Sequence, residues 1–434
     1  MQRSNPQGPA VIVDPYSSGA YYAPAFAEAG IPVVGVVSAP APPAVYATSY
    51  READFPKILI AQEDLELTVQ SLLLLEPRCI LAGCESGVEL ADALAARLVP
   101  DVANDPERPS GRRHKGEMAR LVAQAGLPII RQICSADIEE VADFIEHAGL
   151  VGRDLVIKPP KSASTDGVTR VPRGESWRQV FSALLGRSNR LGILNDQLVV
   201  QEYAHGIEYV VDTFSYAGTH TICDVCRYHK LQNGPHMAVY DSMEWLPPTA
   251  PELESLCRYA RGVLDAVGVR FGAAHIEIML TDKGPRLIEL GARPHGGGHP
   301  RFCRLATGDS QIDRAVRYFA GTGPIPMSFE LRSSVRVVFF INRTAGAVRN
   351  ADIMHRVQDL RSHYFSTVKF KSGDRLELTK DLFGSLDLGL VVLAHQDKAQ
   401  VQADYQTIRW LESELQFDDK LSGRAASVAQ VPGL

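Results

Sequence analysis

Apolar residues in the first hundred positions come in short unbroken runs: VIV at 11–13, VVGVV at 33–37, KILIA, and CILAG at 79–83. Brief apolar runs bounded by turn residues predict strands buried on both faces. VIV leads through a Pro and Ser-Ser-Gly turn into a helix that stops at Gly30, and CILAG leads into the helix ESGVELADALAARL. Strand and helix in alternation predict an open parallel sheet, whose ligands gather beyond the carboxyl ends of its strands. Ser17, Ser18, Gly19 and the turn Cys84, Glu85, Ser86 fall at those ends. Turn chemistry and helix capping account for such residues without a ligand; a substrate lying against the helix starts is the functional alternative.

The pattern changes after NDPERPSG. A basic helical segment, RRHKGEMARLVAQAG, stops at Gly126 and is followed by Pro128. Residues 127–205 mix short strands with helices expected at 138–148 and 176–186, a small α+β unit. Strands dominate 198–225, HKLQNGPHMAVYD reads as a loop, and a helix covers 251–267. From 335 the strand VRVVFFI, a Gly-rich turn and a final helix ADYQTIRWLESEL suggest a further α+β unit. The expected organisation is an α/β domain at 1–105, a central domain at 106–330 with its smaller subdomain at 127–205, and a C-terminal α+β domain at 331–434.

The densest chemical signal is AAHIEIMLTDKGPRLIELGARP, two apolar runs flanking a breaker-rich turn. With a five-residue loop from Thr281 to Pro285, Leu280 pairs with Arg286, and counting outward sets Glu277 opposite Glu289. Like charges so placed, with Cβ atoms about 4.5–5.5 Å apart, destabilise a sheet. A cation between them removes the penalty, and oxygen ligands beside phosphates suit Mg²⁺ or Mn²⁺. The competing account is an exposed hairpin one residue out of register, with Glu289 paired to an arginine. Period-two alternation puts Leu287, Glu289, Gly291 and Arg293 on one face, aiming Arg293 at the metals. PHGGGHP follows; its His295, Gly296 and Gly297 offer unobstructed amides to an oxyanion, or form a flexible turn. In VIKPPKSASTDGV, Lys158 ends a strand before a Ser- and Gly-rich loop fit to cover phosphates. Neither a Walker A sequence nor GxGxxG occurs.

Composition narrows the classes. The 434 residues are 45% apolar and 22% charged, and the net charge of −6 is spread without blocks, so no nucleic acid partner is expected. No apolar run reaches the roughly 18 residues of a membrane span, and no secretion signal is visible, so a cytoplasmic protein is expected. Seven cysteines are read as reduced thiols. Cys223 and Cys226 form a CxxC within a strand, where side chains three apart face opposite ways, and no second CxxC completes a zinc site.

Together HIEIML through LIELGARPHGG, VIKPPKSASTDGV and VVQEYAHGIEYVVD resemble the ATP-grasp superfamily over nearly the whole chain, and within it the bacterial L-amino acid ligases of the bacilysin and tabtoxin pathways. The resemblance implies an ATP-grasp fold behind an N-terminal pre-ATP-grasp domain, in an enzyme of antibiotic biosynthesis. Its implied activity is joining two amino acids into a dipeptide through an acyl-phosphate, with ATP and a pair of Mg²⁺ (or Mn²⁺) ions. It implies that Lys115 and Lys158 hold the phosphates under a lid containing Ser162, Ser164 and Gly167. Adenine would sit at Gln201, Glu202, Tyr203 and Ala204, and the ribose at Glu208. Glu277 and Glu289 match the metal ligands, and Arg293 matches the residue that steadies the acyl-phosphate. Substrate contacts are expected from Glu85, Ser86, His236, Arg293, His295, Gly296 and Gly297. Many members carry Asn where this chain has Gly291, a departure that favours the amino acid ligase branch. The C-terminal unit is expected to close over the site or make a homodimer contact. A carboxylase component, a purine-pathway ligase and an ATP-binding module without turnover are the alternatives.

Overall fold

The computed structural model describes residues 8–163, 165–234 and 236–418. Ser164 lies outside the described residues, as does the side chain of His236. The chain divides into two compact units, one of residues up to Tyr228 with Met243–Val335, the other of His229–Ser242 with residues from Arg336 onward.

The N-terminal sheet is parallel, in the order Ile58–Ile60, Val33–Val37, Ala10–Val13, Cys79–Ala82. Its unbroken apolar runs follow from coverage on both faces. Ala10 and Ile12 pack with Tyr22, Phe26 and Ile312, while Val11 and Val13 pack with Leu72 and Leu94. The strand order turns between Ala10–Val13 and Cys79–Ala82, and the crevice there is where open sheets bind ligands. Backbones meet closely at this point: a Cβ on Gly19 would lie 2.4 Å from the Gly83 Cα. Asp14 and Ser17 hold φ of 47° and 51°, a left-handed region that side-chain-bearing residues rarely adopt.

A second, antiparallel sheet runs Gln132–Ser135, Leu198–Glu202, Leu155–Lys158, Thr169–Val171. Helices Ile138–His147 and Trp177–Leu184 contribute Val141, Ile145 and Phe181 to its core. Asp137 caps the first of these by accepting from the Glu139 amide at 2.8 Å.

A third sheet carries the chemistry. Gly284–Gly291 pairs with Gly272–Thr281, which pairs with Ile207–Tyr216, which pairs with Thr219–Asn233, all antiparallel. Helices Lys115–Gln124 and Leu253–Ala266 cover one face, against Val211, Ile276, Ile278, Leu287 and Leu290. The alternate residues, Glu208, Asp212, Asp224, Tyr228, His275, Glu277 and Glu289, stand on the opposite face by period two and cross-strand register. The segment expected as a loop at 229–241 is instead the end of Thr219–Asn233 and the start of His236–Trp245. Its alternation is masked by polar residues, and only the Asn-Gly-Pro break is a turn signal.

In the C-terminal unit, His363–Val368 and Gly389–His395 pair antiparallel. Helix Lys398–Ser413 supplies Val401, Ile408 and Leu411 to a core with Val338, Met354 and Val391. That helix begins five residues before the expected ADYQ, where Asp397 accepts from the Ala399 amide at 2.9 Å.

Candidate active site

Glu277 lies directly opposite Glu289, as expected, but by a different route. The hairpin turns tightly, with Thr281 opposite Gly284 and Leu280 opposite Pro285 rather than Arg286. Thr281 Oγ1 accepts from the Lys283 amide and donates to the Gly284 carbonyl, which pins the short turn. A bulge at Ile288 then adds one residue and restores the pairing of the carboxylates. It also corrects the expected face: Leu287 pairs with Ile278 and is buried in the apolar core, away from Glu289.

Two lysines attend the carboxylates. Lys115 Nζ lies 3.2 Å from Glu289 Oε2 and donates to the Ser162 carbonyl at 2.9 Å. Lys158, at the end of its strand, donates to the Ile288 carbonyl at 3.2 Å. Burial, reinforced by the charge of Lys115, pushes the Lys158 pKa down to about 8. Burial alone would raise the Glu289 carboxyl, but Lys115 and Lys158 hold it below the usual range.

Arg293 does not stand free above the carboxylates. Its Nε donates to Glu85 Oε2 at 2.9 Å, and Arg113 Nη1 lies 3.3 Å from Glu85 Oε1. A Cβ at Gly291 would sit 2.9 Å from Glu85 Oε2, so this ion pair fills the space a side chain at 291 would need. Ser86 donates to Asp14 Oδ2 at 2.5 Å. The Gly297 and Gly298 amides donate to Ser17 Oγ and Ser18 Oγ at 3.3 and 3.1 Å. The serine turn of the first sheet and the glycine loop thus meet, and Gly296 joins them, its Cβ position 3.5 Å from Ser17 Oγ.

At the expected nucleotide end, the buried Gln201 Oε1 has no hydrogen-bond partner among the described residues. Glu202 is ion-paired with Arg131 at 2.6 Å, and the Tyr203 amide donates to the Asp154 carbonyl at 2.9 Å. The Arg170 guanidinium lies 4.1 Å from the Tyr203 ring centroid, and Ala204 follows in a short irregular link. Glu208 stands opposite both Tyr228 and Met279. Ser162 is buried, and Gly167, at φ 72°, lies against Pro159.

Sequence reasoning missed the group beneath these residues. Asp212, fully buried, accepts from His275 Nδ1 on Oδ1 at 3.0 Å and from His295 Nδ1 on Oδ2 at 2.8 Å. His299 Nε2 lies 3.0 Å from both Asp212 Oδ2 and Asp224 Oδ2. His295 stacks on His299 with ring centroids 3.7 Å apart, and His275 lies against His295 at 3.9 Å, tilted by 36°. Burial lowers each histidine, yet the hydrogen bonds to Asp212 and Glu277 carry His275 to about 9, and the charges of Asp224 and Asp212 carry His299 to about 9. His295, buried between those two cations, is driven well below its ordinary value. Its Nε2 therefore accepts from the Tyr228 hydroxyl, at 3.0 Å. The available signals were an aspartate inside the apolar run VVDTF and a histidine two residues before Glu277. Cys223 packs in the apolar core with Phe214, while Cys226 Sγ lies 3.7 Å from Asp224 Oδ1.

Residues 151–299 match the model of the ATP-grasp domain. Over 309 residues the chain is 30% identical to dapdiamide A synthase of Enterobacter agglomerans, covering 71% of this chain and 72% of that one. In fold it is similar to the L-amino acid ligase from Bacillus licheniformis, with a TM-score of 0.71 at 14% identity over 96% of this chain and 100% of that one. An N5-carboxyaminoimidazole ribonucleotide synthetase solved with ADP is similar at a TM-score of 0.66 and 14% identity, covering 94% and 98%.

Proposed function

Because the chain belongs to the ATP-grasp family and is an ATP-dependent carboxylate–amine ligase, we propose that it joins two L-amino acids into a dipeptide or dipeptide-like metabolite. The names of its relatives, a dapdiamide A synthase and an L-amino acid ligase, favour amino acid substrates over the ribonucleotide of the third. The observation that carries the proposal is the opposition of Glu277 and Glu289 beside Lys115 and Lys158, which gives carboxylates for metal and ammonium groups for phosphate.

The residues present fit ATP and Mg²⁺. The unpartnered Gln201 Oε1 suits the amino group of adenine, whose recognition we assign to Gln201–Ala204. Glu208 is assigned to the ribose, and Ser162 and Gly167 to the lid. Bound between Glu277 and Glu289, Mg²⁺ would neutralise charge on the transferring phosphoryl group. The lysines orient the phosphates, and the lid excludes water that would hydrolyse the acyl-phosphate.

At the other end, the first substrate's carboxylate attacks the γ-phosphorus, releasing ADP and leaving an aminoacyl-phosphate. The second substrate's neutral amine then attacks the acyl carbon, the carbon–oxygen bond to phosphate breaks, phosphate leaves with the electron pair, and the amine's proton passes to the departing phosphate or to solvent. Stabilisation of the oxyanion is assigned to Arg293, whose guanidinium is fixed by Glu85. The Glu85 and Ser86 turn, Arg293, His295 and the Gly296–Gly297 loop form the substrate end. Among the described residues no helix is long and apolar enough to cross a membrane.

The test is phosphate release from ATP and Mg²⁺ across all pairs of the twenty L-amino acids, with mass spectrometry of each active mixture. Pair-dependent phosphate and a condensed dipeptide are expected. Phosphate release without any amide product would refute the dipeptide assignment.

A further inference from the structure

We propose that Asp212 is a positioning residue that couples the carboxylate pair to the glycine loop, holding Glu277 through His275 and the loop through His295. The inference rests on the assignment of Glu277 as a metal ligand.

One side chain serves both ends. Asp212 Oδ1 accepts from His275 Nδ1, and His275 Nε2 lies 3.3 Å from Glu277 Oε1. Carboxylates only accept, so both imidazole nitrogens of His275 must donate, and the ring bridges two anions in a fixed plane. Glu277 then has one oxygen held by His275. Asp212 Oδ2 meanwhile accepts from His295, the first residue of the glycine loop, whose amide donates to Gln311 Oε1 at 2.9 Å. His299, at the start of the helix that follows the loop, lies 3.0 Å from the same oxygen. A rotation of the Asp212 carboxylate therefore moves the hydrogen-bonding geometry of Glu277 and of the loop together. Partners of this kind fix the orientation of metal ligands, and their loss typically costs about 10–100-fold in metal affinity.

The same donors suggest a competing occupant. Those of Asp212, His275 and His295, and those of Asp224, Cys226 and His299, lie within 4.8 Å of one another in each set, close enough to hold an ion. His275 and His299 already offset the charges of Asp212 and Asp224 at hydrogen-bond distance, so an ion is not needed to keep the carboxylates buried, although His299 Nδ1 has no hydrogen-bond partner among the described residues.

Mn²⁺ binding in the presence of ADP, followed by electron paramagnetic resonance on the full chain, separates these accounts. Asp212→Asn and His275→Gln should each weaken Mn²⁺ by about tenfold or more. His295→Asn, which releases Asp212 Oδ2, should lower turnover and also weaken Mn²⁺, by less than His275→Gln because it reaches Glu277 only through Asp212. If Asp212→Asn does not fold, the contrast between His275→Gln and His295→Asn decides the matter. Unchanged Mn²⁺ affinity in His275→Gln or in His295→Asn, or stoichiometric zinc in the purified wild type, would each overturn the coupling. Wild-type protein that binds no Mn²⁺ with ADP would instead remove the metal-ligand assignment itself, and the coupling with it.

Discussion

The two faces of the third sheet are built from the same strands and differ in what holds them. Ile276, Ile278, Leu287 and Leu290 bury area against two helices, an interaction that is non-directional and spread over many atoms. Glu277, His275, Asp212 and Glu289, on the alternate positions of the same strands, are held by a few discrete partners at about 3 Å. An apolar face tolerates a poor contact because its neighbours share the loss. A polar face that is buried does not, since each unpaired group carries its own desolvation cost. The fold's stability and its chemistry are thereby separated by a rotation of 180° about one strand.

That separation can be broken from either side. Ile276→Ala removes buried volume and should cost about 2–5 kcal/mol in denaturant unfolding, with the Mg²⁺ dependence of the folded enzyme unchanged. Glu289→Gln leaves the apolar face intact. It should lower ADP formation by about a hundredfold or more, roughly 2.7 kcal/mol, and also lower the unfolding midpoint, because Lys115 and Lys158 lose the carboxylate that compensates them. A smaller effect follows from Lys158. Its pKa is depressed to about 8, so in the free enzyme its charge is present below that pH and lost above it. ATP affinity by titration calorimetry should then fall toward tenfold per pH unit above about 8, approximately 1.4 kcal/mol per unit, and Lys158→Met should abolish that slope.

Much of this was visible in the residues. The parallel sheet followed from apolar runs with helical spacers, and the opposed glutamates from counting along a hairpin. The count reached the right pair through two compensating differences, a shorter turn and a bulge at Ile288. Neither leaves a strong mark: TDKGP accommodates several turn lengths, and Ile288 is an ordinary strand residue. Asp212 and His275 were harder. A strand aspartate amid valines signals a buried partner without saying which, and His295 is 83 residues away in sequence. Likewise the amide of Gly297 was read as an unobstructed donor, and only folding shows that Ser17 takes it, as Ser18 takes that of Gly298. Contacts between distant segments are set by tertiary packing, which local periodicity does not record.

The bulge at Ile288 has a practical use in protein engineering. Because it adds one residue after a tight turn, pairing of the carboxylates depends on the bulge and on the length of the connection at Asp282 and Lys283 together. The tip is exposed, so a fluorophore on a side chain at Asp282 or Lys283 serves as a reporter that keeps the length of the turn, and with it the register on which the carboxylate pair depends.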